Sequence, residues 1–525
     1  MTGTLGLLRF MLRRERFGLP WWLLGAALLV LVQSVQSQNL YGTPEALAKL
    51  RQTMGGNTAV VAMSGPTRLL ESIGGEVVFE IFASVAIVVA LMNMFLVGRH
   101  TRAEEESGRA ELIRSARVGR QAPLAAALTL AGLADVAVGL LVFAVAAGTG
   151  LPVGGSALFG AALAALGIVF AAVTAVTVQV FENARAAYGA VGLVMGAAYV
   201  LRAVGDVGSG ALSWASPIGW GQRTFPYTGD RWWPVLLSLT TAALLVAVAV
   251  TLLRHRDFGA GLVAPRLGRA RAGRSLRNAY ALAWRLQRSH LIGWSAGLGL
   301  LGVAYGSLGN TIEQYVRDNP QVAEFLPGGA ADIVDAYLAL TVGSAALIAA
   351  AYGVSSVLRI RGEETAGRAE PVLATATGRL TWLAGQLSVS LTGAAVVLLV
   401  LGLGEGAAYG MTVSDAGQVP RLAGVALAYL PAVWLLIAVV VLAFGWLPRH
   451  CTLVGWTVVG YCAVVTLFAD SFDLPGWARR GSPFGHTPQI PLADLALTPL
   501  IAMTVLAAAA ITAGYAGLRR RDIGR

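Results

Sequence analysis

The sequence predicts an all-α polytopic transmembrane bundle of about twelve helices, arranged as two parallel six-helix repeats. Three observations predict it. Hydrophobic residues make up 56% of the 525 residues and charged ones only 13%, against about 25% charged in a soluble domain. The apolar residues gather into runs long enough to cross a bilayer, which takes roughly 20 residues each. Polar motifs recur once, in the same order, at offsets near half the chain length.

The runs fall near 19–35, 77–97, 124–147, 156–180, 186–203, 234–253, 291–308, 334–357, 381–403, 422–446, 451–469 and 497–517. The first follows Arg9, Arg13, Arg14 and Arg16 and ends in Gln-Ser-Val-Gln-Ser-Gln without a small-x-small cleavage pattern. It is expected to stay as a signal anchor. With the N-terminus inside, most of the 39 Lys and Arg fall in inner segments, while acids outnumber bases outside. That is the positive-inside pattern, and it puts both termini in the cytoplasm of a bacterial cell with the chain in the inner membrane. The net charge of +11 is therefore an orientation signal, and a nucleic-acid partner is not expected.

Each half opens on a basic, partly amphipathic stretch, 8–17 and 282–291, suited to the membrane interface. The outer segments 204–233 and 470–496 are rich in Trp, Pro and Gly, and Trp214, Trp220, Trp232, Trp233 and Trp477 fit an interfacial aromatic belt.

Three landmarks carry the repeat. Arg102-Ala-Glu104-Glu105-Glu-Ser-Gly108-Arg109-Ala-Glu111 returns as Arg361-Gly-Glu363-Glu364-Thr-Ala-Gly367-Arg368-Ala-Glu370. At an offset of 259, 9 of the 19 positions from 102 to 120 are identical. Ser216-Pro-Ile-Gly219 returns as Ser482-Pro-Phe-Gly485, and Leu253-Arg-His-Arg256-Asp-Phe-Gly259 as Leu518-Arg-Arg-Arg521-Asp-Ile-Gly524. The organisation expected is a first six-span half, 1–253, a basic cytoplasmic linker with an interfacial helix, 254–290, and a second six-span half, 291–525. The linker carries nine Arg and a single Asp.

The loops between spans two and three, 98–121 and 358–380, are the most informative segments. A connection that only turns the chain needs about 4–6 residues, and the positive-inside rule asks for Arg here but not for Glu. Glu and Arg at helical spacing predict a short helix with internal ion pairs and a polar face for a protein partner. Gly108 and Gly367 fit a helix end or a close backbone approach.

Within the spans, Glu80 and Asp135 are the carboxylates, and with Asn93 they are the candidates for a translocation path, since intramembrane polar groups are costly. The competing reading of Asp135 is a hydrogen bond between helices. Cys451, Cys462 and the five histidines show no metal-ligand spacing. No metal site and no catalytic cluster is expected, so a membrane-embedded enzyme is disfavoured.

The two loops, the Ser-Pro-[Ile/Phe]-Gly segment and the Arg-x-Arg-Asp-[Phe/Ile]-Gly ending of each half make the chain resemble type-2 ABC exporter permeases. The similarity is to the long twelve-span kind found among actinobacterial polyketide-antibiotic and multidrug exporters, and it covers essentially the whole chain. The resemblance implies that the loops are coupling helices docked on an ATPase, through Glu104, Glu105, Gly108, Arg109 and Glu111 and through Glu363, Glu364, Gly367, Arg368 and Glu370. It also implies a path lined by spans two and five of each half, and an apolar or amphipathic, drug-like or antibiotic cargo. The ATPase is expected on a separate chain: a P-loop needs a lysine after a Gly-rich turn, and the sole lysine, Lys49, has no such glycines. ATP and Mg would then sit on that partner, with two ATPase copies for two loops and no cofactor in this chain. The alternative is a proton-coupled secondary transporter of major-facilitator type, which shares the twelve-span, two-half plan but wants a tighter loop.

Overall fold

A computed structural model describes residues 2–56, 58–263, 271, 273, 276, 278–317, 329–468, 475–488, 490 and 495–522. Among them the chain forms helices and no strand. It divides into two compact units, Met1–Gly268 and Arg269–Arg525, and the division falls inside the segment 254–290.

The first unit holds α1 (Thr4–Glu15), α2 (Leu19–Tyr41), α3 (Pro44–Gly55), α4 (Thr58–Ser64), α5 (Ile73–His100), α6 (Arg102–Glu106), α7 (Arg109–Arg114), α8 (Ala122–Gly148), α9 (Val153–Val180), α10 (Ala184–Val207), α11 (Pro217–Gln222) and α12 (Trp233–His255). The second holds α13 (Ala279–Arg317), α14 (Gly329–Thr365), α15 (Ala369–Leu373), α16 (Arg379–Val413), α17 (Gln418–Ala428), α18 (Leu430–Trp446), α19 (Cys451–Phe468), α20 (Gly476–Gly481) and α21 (Leu497–Arg520). Among the described residues, eleven stretches are long and apolar enough to cross a membrane, α17 and α18 together making one. Cys451–Thr466 of α19 is a shorter apolar helix at the position of the remaining expected span.

Within each unit the second and fourth spans form the buried centre, α5 and α9 in the first and α14 and α17–α18 in the second. The first, fifth and sixth expose broad apolar faces, Leu193 of α10, Leu244 of α12 and Val505 of α21 among them, as lipid-facing helices do. Lipid tails are as apolar as leucine, so the helices associate through close packing rather than water exclusion. Gly139 of α8 and Gly160 of α9 face each other backbone to backbone: a Cβ on either would lie within 2.8 Å of the other's carbonyl oxygen. Gly306 of α13 meets Glu405 of α16 in the same way, with its Cβ position 2.1 Å from the Glu405 carbonyl.

Several expected boundaries are corrected. The third span of the second unit, expected at 381–403, belongs to a helix that runs on to Val413. Span two begins at Ile73 rather than 77, because Ser72 caps the helix by accepting from the Gly75 amide at 3.0 Å. The fourth span of the second unit breaks at Tyr429, just before Pro431, whose ring cannot continue a helix with its full hydrogen bonding. The interfacial stretch 282–291 is the opening of the continuous α13, whereas its counterpart α1 is a separate helix. In the linker, 264–270, 272, 274, 275 and 277 lie outside the described residues, as do 469 at the end of the eleventh span and the closing Ile523 and Gly524 of the third landmark.

The Ser-Pro-x-Gly motif is a helix start. Ser216 caps α11 by accepting from the Gly219 amide, Pro217 opens the helix, and Gly219 lies against the Ser213 carbonyl. Trp214 stacks on Trp233 at 4.8 Å between centroids, while Trp232, Trp233 and Trp477 are exposed.

Gly306→Leu is expected to force α13 and α16 apart and to cost about 1–3 kcal/mol. Thermal unfolding of the purified protein in detergent reads this as a lowered midpoint. Gly297→Leu on the same helix, where a Cβ meets nothing within 4 Å, should leave the midpoint where it is.

Candidate functional site

Both copies of the loop fold as helix, glycine, short helix. In the first, α5 breaks at Thr101, α6 runs to Glu106, Gly108 turns the chain at φ +74, and α7 begins at Arg109. In the second, α14 continues unbroken to Thr365, Gly367 turns at φ +68, and α15 begins at Ala369. Nothing stands within 4 Å of a Cβ at either glycine, so what they supply is the left-handed backbone rather than a close approach. Pro371 occupies the first turn of α15, where its missing amide hydrogen costs no helical bond.

Behind each turn one glutamate is gripped by two arginines. Glu105 receives Nη1 and Nη2 of Arg256, the first at 2.9 Å, and Nη1 of Arg102 at 2.9 Å. Glu364 receives Nη1 and Nη2 of Arg521 at 2.8 and 3.1 Å, and Nη1 of Arg361 at 2.9 Å. Arg256 and Arg521 occupy the same place in the third sequence landmark, just beyond the ends of α12 and α21. The first and third landmarks thus meet in each unit, and their meeting is a two-pronged arginine–carboxylate fork, the strongest geometry such a pair adopts.

The forks are largely buried, the first more deeply than the second. The Arg102 side chain is fully enclosed, and its remaining donors reach the Val178 carbonyl at 3.0 and 2.8 Å and the Ala260 carbonyl at 3.1 Å. Arg256 adds Nε to Gln179 Oε1 at 2.7 Å. Glu106 accepts from the Ala184 amide at 3.0 Å, at the positive N-terminal end of α10. The first loop is therefore tied to the ends of spans four, five and six. Burying charge is costly unless donors and acceptors are met; these contacts meet those of Arg102 and Arg256, whereas Nε of Arg521 in the second fork is buried without a hydrogen-bond partner.

The ten loop residues separate into two groups. Glu105 and Glu364 face inward. Glu104 is buried and pairs with Arg14 of α1, whose neighbour Glu15 bonds His100 at 2.9 Å and Arg99 at 3.2 Å. Gly108, Arg109, Glu111, Gly367, Arg368 and Glu370 are exposed, and so is Leu112, at 75%. Arg368 forks onto Glu363 at 2.9 and 3.0 Å, a hydrogen-bonded pairing that raises the guanidinium's pKa further and keeps it charged.

Of the in-span candidates, Asn93 and Asp135 meet. Asn93 Nδ2 donates to Asp135 Oδ1 at 2.7 Å and to the Val89 carbonyl at 3.0 Å, joining α5 to α8, and both residues are buried. Gly167 of α9 makes room for this pair, since a Cβ there would lie 2.1 Å from Asp135 Oδ1. Glu80 stands apart, half-buried on α5. Glu80 and Asp135 are not the whole set of in-span carboxylates. Glu76 and Glu405 are buried within α5 and α16, and Glu405 accepts from Thr341 Oγ1 at 2.7 Å. The apolar and small residues that continue through Gly406-Ala-Ala-Tyr-Gly-Met411 were the signal that the span passes Glu405.

Two units of apolar spans, each with a braced polar loop, define a multi-pass membrane protein of the transporter class. Residues 276–519 match the family model described as "Multidrug efflux system permease Rv1217c, C-terminal domain". Over 529 aligned residues the chain is 42% identical to the "Multidrug efflux system permease protein Rv1217c" of Mycobacterium tuberculosis (strain ATCC 25618 / H37Rv), covering 99% of this chain and 95% of that protein. The chain belongs to this family of multidrug efflux permeases.

Arg102→Met is expected to strip the Val178 carbonyl of both guanidinium donors, while Ala260 keeps its bond from Arg256 Nη1 at 3.0 Å, and to destabilise by about 3 kcal/mol. Arg361→Met, at a guanidinium that is 20% exposed and bonded to Glu364, should cost about a third of that. Unfolding midpoints of the two variants side by side test the order, and equal losses would contradict it.

Proposed function

We propose that this chain is the membrane subunit of an ATP-driven exporter that moves apolar or amphipathic, drug-like compounds out of the cell. Its two six-span halves would alternate access, driven by two copies of an ABC ATPase carried on separate chains that bind ATP and Mg. The single observation behind this reading is the loop that occurs twice, 98–121 and 358–380, each copy with an exposed charged turn in front and a buried arginine fork behind. A turn that only connects two spans has no use for such a brace. A surface that receives force does.

In this reading Gly108, Arg109 and Glu111, with Gly367, Arg368 and Glu370, meet the ATPase. Glu104, Glu105, Glu363 and Glu364 hold the loops in shape. Both termini are cytoplasmic, and the cargo passes near the Asn93–Asp135 pair and Glu80. The relative's name, a multidrug efflux permease, supports a cargo of this class.

A proton-coupled transporter of major-facilitator type is the second reading, and the buried carboxylates Asp135 and Glu405 favour it. Co-expression with a P-loop ATPase encoded in an adjacent reading frame separates the two. Co-purification with the wild type, and its loss in an Arg109→Glu, Arg368→Glu double variant, is expected, together with ATP-dependent ethidium transport in proteoliposomes. Ethidium transport driven by a proton gradient alone, with no ATPase bound, would replace the first reading by the second.

A further inference from the structure

The exposed turns say where a partner would push, but not which part of the membrane domain would move. In both units the loop's firmest tie to a distant stretch of chain runs to the end of the sixth span. Glu105 grips Arg256, 151 residues further along, and Glu364 grips Arg521, 157 residues further along. Each tie is a two-pronged fork, largely shielded from water, with a second arginine one helical turn before the glutamate sharing one of the two carboxylate oxygens. A single salt bridge at a protein surface is weak and easily exchanged for water. A buried fork resists separation because pulling it apart strands charge in a dry site. The loop and the end of span six should therefore move as one piece.

We infer that Arg256 and Arg521 are positioning residues that deliver the displacement of each loop to the sixth span of its own unit, α12 and α21. The inference rests on the ATP-driven reading above. It adds the output element: the resemblance implied spans two and five as the walls of the path, whereas the forks make span six the lever. Two features fit this role. Both helices carry broad apolar faces exposed in their own unit, Leu236 and Leu244 on α12, Ile501 and Val505 on α21, and each packs its other side on the buried fourth span, α12 at Ala242 and α21 backbone to backbone at Gly514 and Gly445, so a shift of its end reaches the centre of the unit. The same three residue types, Arg, Glu and Arg, perform the same connection in two units whose other loop contacts differ. In the first unit the loop also holds Val178 and Ala184 at the ends of spans four and five, and α1 through Glu104.

The test uses the full chain with its ATPase in proteoliposomes and reads ethidium moved per ATP hydrolysed. In an Arg256→Gln, Arg521→Gln variant the ATPase should still co-purify and still hydrolyse ATP. The transport-to-hydrolysis ratio should fall by about tenfold or more. Arg256→Lys with Arg521→Lys should recover part of it. Because loss of an arginine can also weaken the fold, a second variant replaces each fork by a cysteine pair, Glu105→Cys with Arg256→Cys and Glu364→Cys with Arg521→Cys. A short bifunctional thiol reagent bridging each pair should raise the ratio back towards wild type, an effect a purely structural arginine would not give. An unchanged ratio in the Gln variant, or a low ratio that bridging does not raise, overturns the inference. A wild type that neither binds the ATPase nor transports with ATP shows its failure before any variant is read, and removes the underlying reading instead.

Discussion

The grip of one glutamate by two arginines, made once in each unit, is the contact on which the loop-bearing end of each bundle depends. Two stretches of chain far apart in sequence converge there: the end of span two with the glycine turn after it, and the end of span six. Hydrophobic packing cannot organise them, because lipid offers the spans no strong preference among apolar neighbours. Directional, charge-assisted hydrogen bonds can, since a planar guanidinium accepts a carboxylate in few orientations. The membrane-buried part is organised differently, by glycine contacts such as Gly139 with Gly160, where shape alone sets the helix distance.

Much of the architecture was legible because membranes tax polar backbone so heavily. Runs of apolar residues could mean little besides spans, and the repeat offset of 259 alone places Glu105 and Glu364 at equivalent positions. The meeting of Glu105 with Arg256 was hidden, although both residues stood in recognised repeats. Sequence shows that two motifs recur, and only the fold shows that they touch. Glu405 was missed for another reason. A hydropathy boundary was drawn just before a charged residue, while the helix continues through it, its carboxylate met by Thr341 and its backbone packed on Gly306. Polar residues at span ends are where such boundaries fail, because one buried hydrogen bond is enough to keep a carboxylate inside.

The candidate site was legible in its composition but not in its facing. Ten positions across two copies of one motif read as one charged surface. In three dimensions they are a front and a back, with Arg109, Glu111, Arg368 and Glu370 outside and Glu105 and Glu364 turned in. Spacing alone could not separate them, since Glu104 and Glu105 are neighbours on one short helix and their partners, Arg14 and Arg256, come from opposite ends of the unit.

The opening segments of the two units differ in one respect with wider meaning. In the first, α1 is a free-standing helix pinned to the loop by Arg14–Glu104 and Glu15–His100; in the second, the matching stretch is fused into α13. The repeat is thus unequal at its openings, with a separate handle on one side only. Anything that grasps or modifies the N-terminal helix therefore acts on the loop of one unit through Glu104 and His100, and the second unit offers no separate helix of this kind.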